Sequence, residues 1–326
     1  MSYSLSLSKG KGESKCIAKI EGGKNNGKLV YVVKNEDAPS LKKSLDVDDL
    51  QDKMIQLKVK ARDRVRYLAE IEELLEDNVQ IEDLPSNDKI LYELYKQCFK
   101  QKQNLNSFKL GYGEKFMICP PEDPVKTLRV YIAGMTESGK SYIVKDIVNC
   151  YHALFPKRKL YVISKLKKDD TLDSANAKLV RIDPNSFLTD APKLEEFTNK
   201  EGSVIIFDDF DSFEPKLLKI ITTFINDCCQ MGRHEKISTI IATHHITNYS
   251  KSAVMLSECN LYVLFPQATV KRKLQYILEN YGGIEDSWVK KMKKMGRWVC
   301  VCRTVPQYIV SENEVALITS TDSDSE

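Results

Sequence analysis

From about residue 127 onward the chain alternates short, continuous apolar runs with stretches in which apolar positions recur every three or four residues. That alternation predicts buried parallel strands separated by helices. Strands are predicted at about 127 to 133, 159 to 164, 179 to 182, 203 to 208, 237 to 243 and 260 to 265, with helices filling most intervals. The texture ahead of this region differs. Residues 1 to 13 are rich in Ser, Gly and Lys and are expected to be a flexible tail, whereas 16 to 20 and 29 to 33 read as strands joined through Asn26-Gly27, a hairpin turn pair. From about 48 to 77, Met54, Leu57, Ala61, Leu68, Ile71 and Leu75 share one face of a single long amphipathic helix. It is basic in its first half (Lys58, Lys60, Arg62, Arg64, Arg66) and acidic in its second (Glu70, Glu72, Glu73, Glu76), a pattern open to DNA, a neighbouring subunit or plain solvation. A further helix, about 88 to 102, follows the break at Pro85-Ser86-Asn87.

Pro120, Pro121 and Pro124 mark the change of texture, and a domain boundary is expected between 107 and 124. The expected layout is a tail at 1–13, an N-terminal hairpin and helical region at 14–107, a large α/β domain at 108–312 and an acidic, disordered tail at 313–326. Residues 297 to 310 read as a terminal hairpin within the large domain.

Composition narrows the class. At 326 residues, 42% hydrophobic and 29% charged, the chain can bury a sizeable core and is an ordinary globular composition. A net charge of +3 gives no case for a polyanionic partner from the total alone, so any such case rests on local clustering. Nine cysteines, without disulfide-framework or CxxC spacing, suggest a reducing compartment. The N-terminus lacks an apolar signal core and no run is long enough to span a bilayer, so neither secretion nor membrane insertion is expected.

Residues 134 to 141, GMTESGKS, match G-x-x-x-x-G-K-[ST] between a predicted strand and a predicted helix, the context that motif requires. Glycines are needed because the loop wraps backbone N–H groups around phosphate oxygens. The nucleotide-binding set is therefore Gly134, Met135, Thr136, Glu137, Ser138, Gly139, Lys140, Ser141 and Tyr142. Lys140 is expected to reach the β and γ phosphates of ATP, and the Ser141 hydroxyl to bind Mg2+.

The run SVIIFDDF at 203 to 210 carries two adjacent carboxylates to the C-terminal end of a buried strand, the edge where ligands bind in such sheets. Asp208 is expected to hold Mg2+ through water and Asp209 to orient or deprotonate the attacking water. Capping of the next helix is the other use of such a pair. Two strand segments, 159 to 164 and 179 to 182, separate the P-loop strand from the acidic strand in sequence, which points to an additional-strand P-loop NTPase with a mainly parallel central sheet and a small N-terminal α+β region.

After the helix predicted from Pro215 comes GRHEKISTIIATHH, residues 232 to 245. Together with GMTESGKS and IIFDD it resembles the FtsK-HerA superfamily, and within it the poxvirus-type genome-packaging ATPases of large DNA viruses, over about residues 126 to 265. The resemblance implies a trans-acting arginine finger at Arg233, with a helix C-cap as the alternative. It also sets His244 where many relatives have a sensor Gln, although His244 and His245 could equally be strand-end surface residues. Asp209 stands where cellular members typically have Glu. A zinc site from His234, His244 and His245 is conceivable on residue type alone.

The resemblance further implies an oligomeric ring that hydrolyses ATP to translocate double-stranded DNA into a capsid, with a virion partner and a place in the host cytoplasm or viral factory. A helicase or other remodelling ATPase, and a nucleotide-binding scaffold, are the competing classes. Candidate DNA contacts are Lys271, Arg272, Lys273, Lys290, Lys291, Lys293, Lys294, Arg297 and Arg303, interleaved with Tyr276, Trp288 and Trp298, and also Lys165, Lys167 and Lys168. Ordinary solvation explains such a run as well.

Overall fold

The computed structural model describes residues 3–34, 47–76, 79, 81, 84, 88–247 and 252–318. Along the chain, β1 (Tyr3–Ser6), β2 (Ser14–Glu21) and β3 (Leu29–Lys34) precede helices α1 (Val47–Gln56), α2 (Ala61–Glu76) and α3 (Lys89–Asn106). Strands β4 (Ser107–Lys109) and β5 (Lys115–Ile118) follow. Then come β6 (Arg129–Ala133), α4 (Lys140–Leu154), β7 (Lys159–Ser164), β8 (Leu179–Ile182), β9 (Ser203–Asp208), α5 (Pro215–Met231) and β10 (Ile237–Thr243). The chain continues through α6 (Ala253–Glu258), β11 (Leu261–Leu264), α7 (Lys271–Ile277), α8 (Asp286–Met295), β12 (Val299–Cys302), β13 (Tyr308–Ser311) and β14 (Glu314–Leu317). Its contacts separate into two compact units, residues 1–14 with 32–108 and residues 15–31 with 109–326.

In the smaller unit, the expected long helix is two helices. The break falls at Lys58, which takes a left-handed φ of 60°. The Val59 amide bonds back to the Met54 carbonyl at 2.9 Å and the Lys58 amide to the Ile55 carbonyl at 3.0 Å, which is the double bond pattern of a Schellman stop. Such stops usually carry glycine, and here a lysine takes its place. Met54 and Ile71 are buried together with Leu50, Tyr67, Leu94 and Tyr95, while Ala61, expected on the same face, is exposed. Asp88 caps α3, its Oδ1 accepting from the amides of Ile90 and Leu91 at 3.0 Å each. The preceding Pro85-Ser86-Asn87 lies outside the described residues. Strand β1, with Leu5 buried, occupies part of the stretch expected to be a loose tail, because Leu5 finds apolar cover there.

In the larger unit, the hairpin at Asn26-Gly27 forms as expected, with the Gly27 amide on the Ile20 carbonyl at 2.8 Å. Strand β2 pairs antiparallel with β5, placing Ala18 opposite Ile118. The main sheet runs β14-β13-β12-β11-β6-β10-β9-β7-β8. It is parallel from β11 to β8 and antiparallel beyond β11. All residues of β9 and β10 are buried, which is why these strands read as mainly apolar runs without polar alternation. The acidic strand and the P-loop strand are not neighbours. Strand β10 lies between them, whereas the two segments that intervene in sequence, β7 and β8, lie beyond β9. Thus the additional-strand class holds, but the inserted strand is β10.

Phe224 on α5 anchors this helix to the sheet, with its ring 5.8 Å from that of Phe207, 5.2 Å from Phe197 and 6.2 Å from Phe187. Truncating a buried Phe of this kind costs about 3–5 kcal/mol. At the C-terminal end, β14 extends the expected terminal hairpin by a third strand, because Val315, Ala316 and Leu317 are apolar enough to be buried. The rest of the expected acidic tail, residues 319–326, lies outside the described residues. Among the described residues no helix is long and apolar enough to cross a membrane.

Candidate nucleotide site

Parallel pairing puts the C-terminal ends of β6, β9 and β10 along one edge of the sheet, and every residue of the site hangs from that edge. The Gly134 amide donates to the Thr243 carbonyl at 3.1 Å, fixing the start of the loop to the end of β10. A Cβ on Gly134 would come within 2.5 Å of the Phe265 ring and of Ser138 Oγ, so only glycine fits. Gly139 has φ 107° and opens α4, whose first turn lacks a side-chain cap. Its leading N–H groups are therefore available to an anion. Glu137 also sits in the left-handed region, at φ 64°, and its carbonyl accepts from Arg297 Nη2 at 2.7 Å. Met135, Thr136 and Tyr142 are exposed on the loop and the first turn, and Lys145 lies over the Tyr142 ring at 5.1 Å.

Lys140 is only 7% exposed. Its Nζ donates to the Gly134 carbonyl at 3.0 Å and lies 3.3 Å from His244 Nδ1. An ion pair links it to Asp209 Oδ1 at 3.4 Å, without the alignment of a hydrogen bond. Asp209 adopts a left-handed backbone, φ 45° and ψ 42°, which a short polar residue tolerates and which turns its carboxylate toward the loop. His244 Nε2 completes the cluster 3.1 Å from Asp209 Oδ2. The structure thus brings together Lys140, Asp209 and His244, three residues far apart in sequence.

Asp208 ends β9, is 4% exposed and accepts from Ser164 Oγ at 3.0 Å. Burial, then the neighbouring Asp209 charge, pushes its carboxyl up to about 6. Ser141 Oγ donates at 3.2 Å to Asp169 Oδ2, and Asp169 adds to the negative field at Asp208. Ser141, Asp208 and Asp169 are hard oxygen donors of the type Mg2+ takes. No three His, Cys, Asp or Glu side chains among the described residues form a metal cage by themselves. One further observation fits a phosphate: Ser138 Oγ is buried without a hydrogen-bond partner.

Sequence reasoning missed Asp169, Asp211 and the P-loop contact of Arg297. Asp169 lies in a turn after β7 with no motif around it. Asp211 follows the acidic pair by two residues, and its Oδ2 accepts from Thr243 Oγ1 at 2.8 Å and from the amides of His244 and His245 at 3.0 and 3.3 Å.

Other candidates lie elsewhere. Arg233 is exposed in the turn between α5 and β10, with its Nε 3.4 Å from His234 Nε2. That turn is at the start of β10, whereas the P-loop is at its end, about 20 Å away at ~3.3 Å per strand residue. For the same reason His234 cannot join His244 and His245 in a zinc site. Trp288 and Trp298 are buried, so they are not surface aromatics interleaved with the basic run. Lys290, Lys291, Lys293 and Lys294 are exposed on α8. Arg303 donates to the Leu256 and Ser257 carbonyls instead of facing outward.

No family model matches the chain. A curated protein of Sputnik virophage, uncharacterized protein V3, is 29% identical over 198 residues, or 60% of this chain and 78% of that protein. Among solved structures, the genome-packaging NTPase B204 of Sulfolobus turreted icosahedral virus 2 in complex with ATP-gammaS is 15% identical, with a TM-score of 0.39, covering 58% of this chain and 98% of that one. The chain is similar to viral genome-packaging NTPases. The pCW3 conjugation coupling protein TcpA, in its monomer form with ATPgS, is 12% identical with a TM-score of 0.37, covering 65% of this chain and 66% of that one.

Proposed function

We propose that this chain is a Mg2+-dependent ATPase that drives double-stranded DNA into a viral capsid as a ring of identical subunits. One observation carries the enzymatic part: Lys140, Asp209 and His244 meet at the mouth of the phosphate loop, with Asp208 and Ser141 beside it. Lys140 would exchange its carbonyl and carboxylate partners for phosphate oxygens. Asp209 would accept a proton from the attacking water, and His244 would hold the carboxylate and sense the γ phosphate. Mg2+ bound near Ser141 and Asp208 would neutralise phosphate charge.

The motor part is supported by the motif resemblance and by the place of Arg233. Too far from its own loop, it can serve only a neighbouring copy if it serves a nucleotide at all. The exposed α8 lysines supply a face for DNA phosphates.

The test is the ATPase rate of the purified chain with and without double-stranded DNA, alongside its mass in solution. DNA-stimulated hydrolysis by an oligomer is expected. Absence of hydrolysis would return the chain to a nucleotide-binding scaffold, and duplex unwinding would make it a helicase.

A further inference from the structure

The end of β10 is held more firmly than a strand end needs to be. Its last residue, Thr243, is 1% exposed and its carbonyl receives the Gly134 amide at 3.1 Å. On the other side, Thr243 Oγ1, the His244 amide and the His245 amide all donate to a single oxygen, Asp211 Oδ2, at 2.8, 3.0 and 3.3 Å. The His245 carbonyl is in turn bound by Tyr131 Oη at 3.0 Å. Residues 243 to 245 are thus pinned on both sides, and the one group left to project from them toward the phosphate loop is the His244 ring.

That ring meets Asp209 Oδ2 at 3.1 Å and Lys140 Nζ at 3.3 Å. Asp211 itself has its other oxygen, Oδ1, buried with no hydrogen-bond partner, and it contacts neither Lys140 nor Asp209 through any hydrogen bond or ion pair among the described residues. Its hydrogen bonds therefore reach the site through the backbone that it holds. Three donors converging on one oxygen favour a carboxylate over an amide, because charge-assisted bonds are shorter and stronger.

We propose that Asp211 is a positioning residue for hydrolysis: it fixes the turn after β10 so that His244 is held against Asp209 and Lys140. The same side chain makes the turn after the acidic strand and the end of β10 move as one body. This rests on the nucleotide site proposed above.

The test is a double-mutant cycle on the full chain, with Asp211→Ala, His244→Ala and both together, reading kcat, equilibrium binding of a fluorescent ATP analogue, and Tm. Asp211→Ala is expected to lower kcat by roughly 10-fold to 100-fold, the range seen for loss of an orienting partner, with analogue affinity within about 3-fold of wild type. In the His244→Ala background it should cost little more, because its effect runs through that ring. Asp211→Asn, which keeps an accepting oxygen, should recover much of the rate. Equal losses in both backgrounds, or a fall in analogue affinity matching the fall in kcat, would overturn the proposal. If Asp211→Ala fails to fold, the cycle is run with Asp211→Ser, whose shorter side chain cannot hold all three donors, and additive losses with His244→Ala overturn it equally. Lys140→Ala distinguishes the two levels: normal analogue binding and turnover in that variant would sink the site itself, whereas an additive cycle alongside a dead Lys140→Ala would sink only the role of Asp211.

Discussion

Lys140 Nζ lies 3.4 Å from Asp209 Oδ1, an ion pair that joins the phosphate loop to the end of the acidic strand. The lysine is nearly buried, and its charge is balanced by that carboxylate and by loop carbonyls.

Lys140→Ala should abolish nucleotide binding and turnover while the chain still folds, because the side chain serves the site and contributes little to the apolar core. Analogue binding by fluorescence and circular dichroism together check this. Unchanged turnover would remove the site assignment.

Asp209→Asn should bind ATP and fail to hydrolyse it, since the amide keeps the size and loses the basic lone pair. Single-turnover measurements separate binding from chemistry. Normal rates in this variant would leave Asp209 as a structural partner of Lys140 and His244 alone.

Asp208 gives a pH prediction with a definite sign. Its carboxyl is raised from 3.8 to about 6, so between those values the folded chain holds a proton that the unfolded chain has released. Stability of the nucleotide-free protein should fall as pH rises through that window, by at most about 3 kcal/mol for a shift of this size. Asp208→Asn keeps the acceptor for Ser164, removes the buried charge, and should raise Tm at pH 7.5 more than at pH 4.5. It should also need more Mg2+ for whatever activity remains. A variant destabilised equally at both pH values would show that the charge is not the cost.

Arg297→Ala releases the Glu137 carbonyl, which sits on a left-handed residue of the loop. Analogue affinity should weaken several-fold while kcat at saturation changes little, because the loss falls on loop preorganisation and not on the reacting groups. A change confined to kcat would contradict this.

Arg233→Ala should leave affinity nearly intact and lower turnover by about 10³-fold if the guanidinium acts on a neighbour's phosphates. Mixing it with Lys140→Ala provides the decisive measurement. An interface that pairs the intact loop of the first variant with the intact arginine of the second should regain activity. A single variant that hydrolyses normally would return Arg233 to a helix cap.

Most strands from 159 to 264 were legible because they are buried runs rich in β-branched and aromatic residues closed by turns, and the phosphate loop because its chemistry fixes its spelling. What escaped was set by partners distant in sequence. Nothing near Asp169 or Asp211 announces a role, since each acts on donors brought to it by sheet order. The split of the long helix at Lys58 escaped because a left-handed stop was made without glycine. The insertion of β10 between β6 and β9 could be inferred as a class, but which strand performs it depends on crossover, and local sequence carries no record of that.

Strand β10 is paired along both sides, to β6 and to β9, with all seven of its residues buried. Such a strand neither stretches nor bends under small loads, so it behaves as a push-rod. One end bears His244, beside Lys140 and Asp209. The other begins at the turn that carries Arg233. In a closed ring of such chains, a strand held along both sides would couple the turn that carries Arg233 to the sheet edge that carries the phosphate loop.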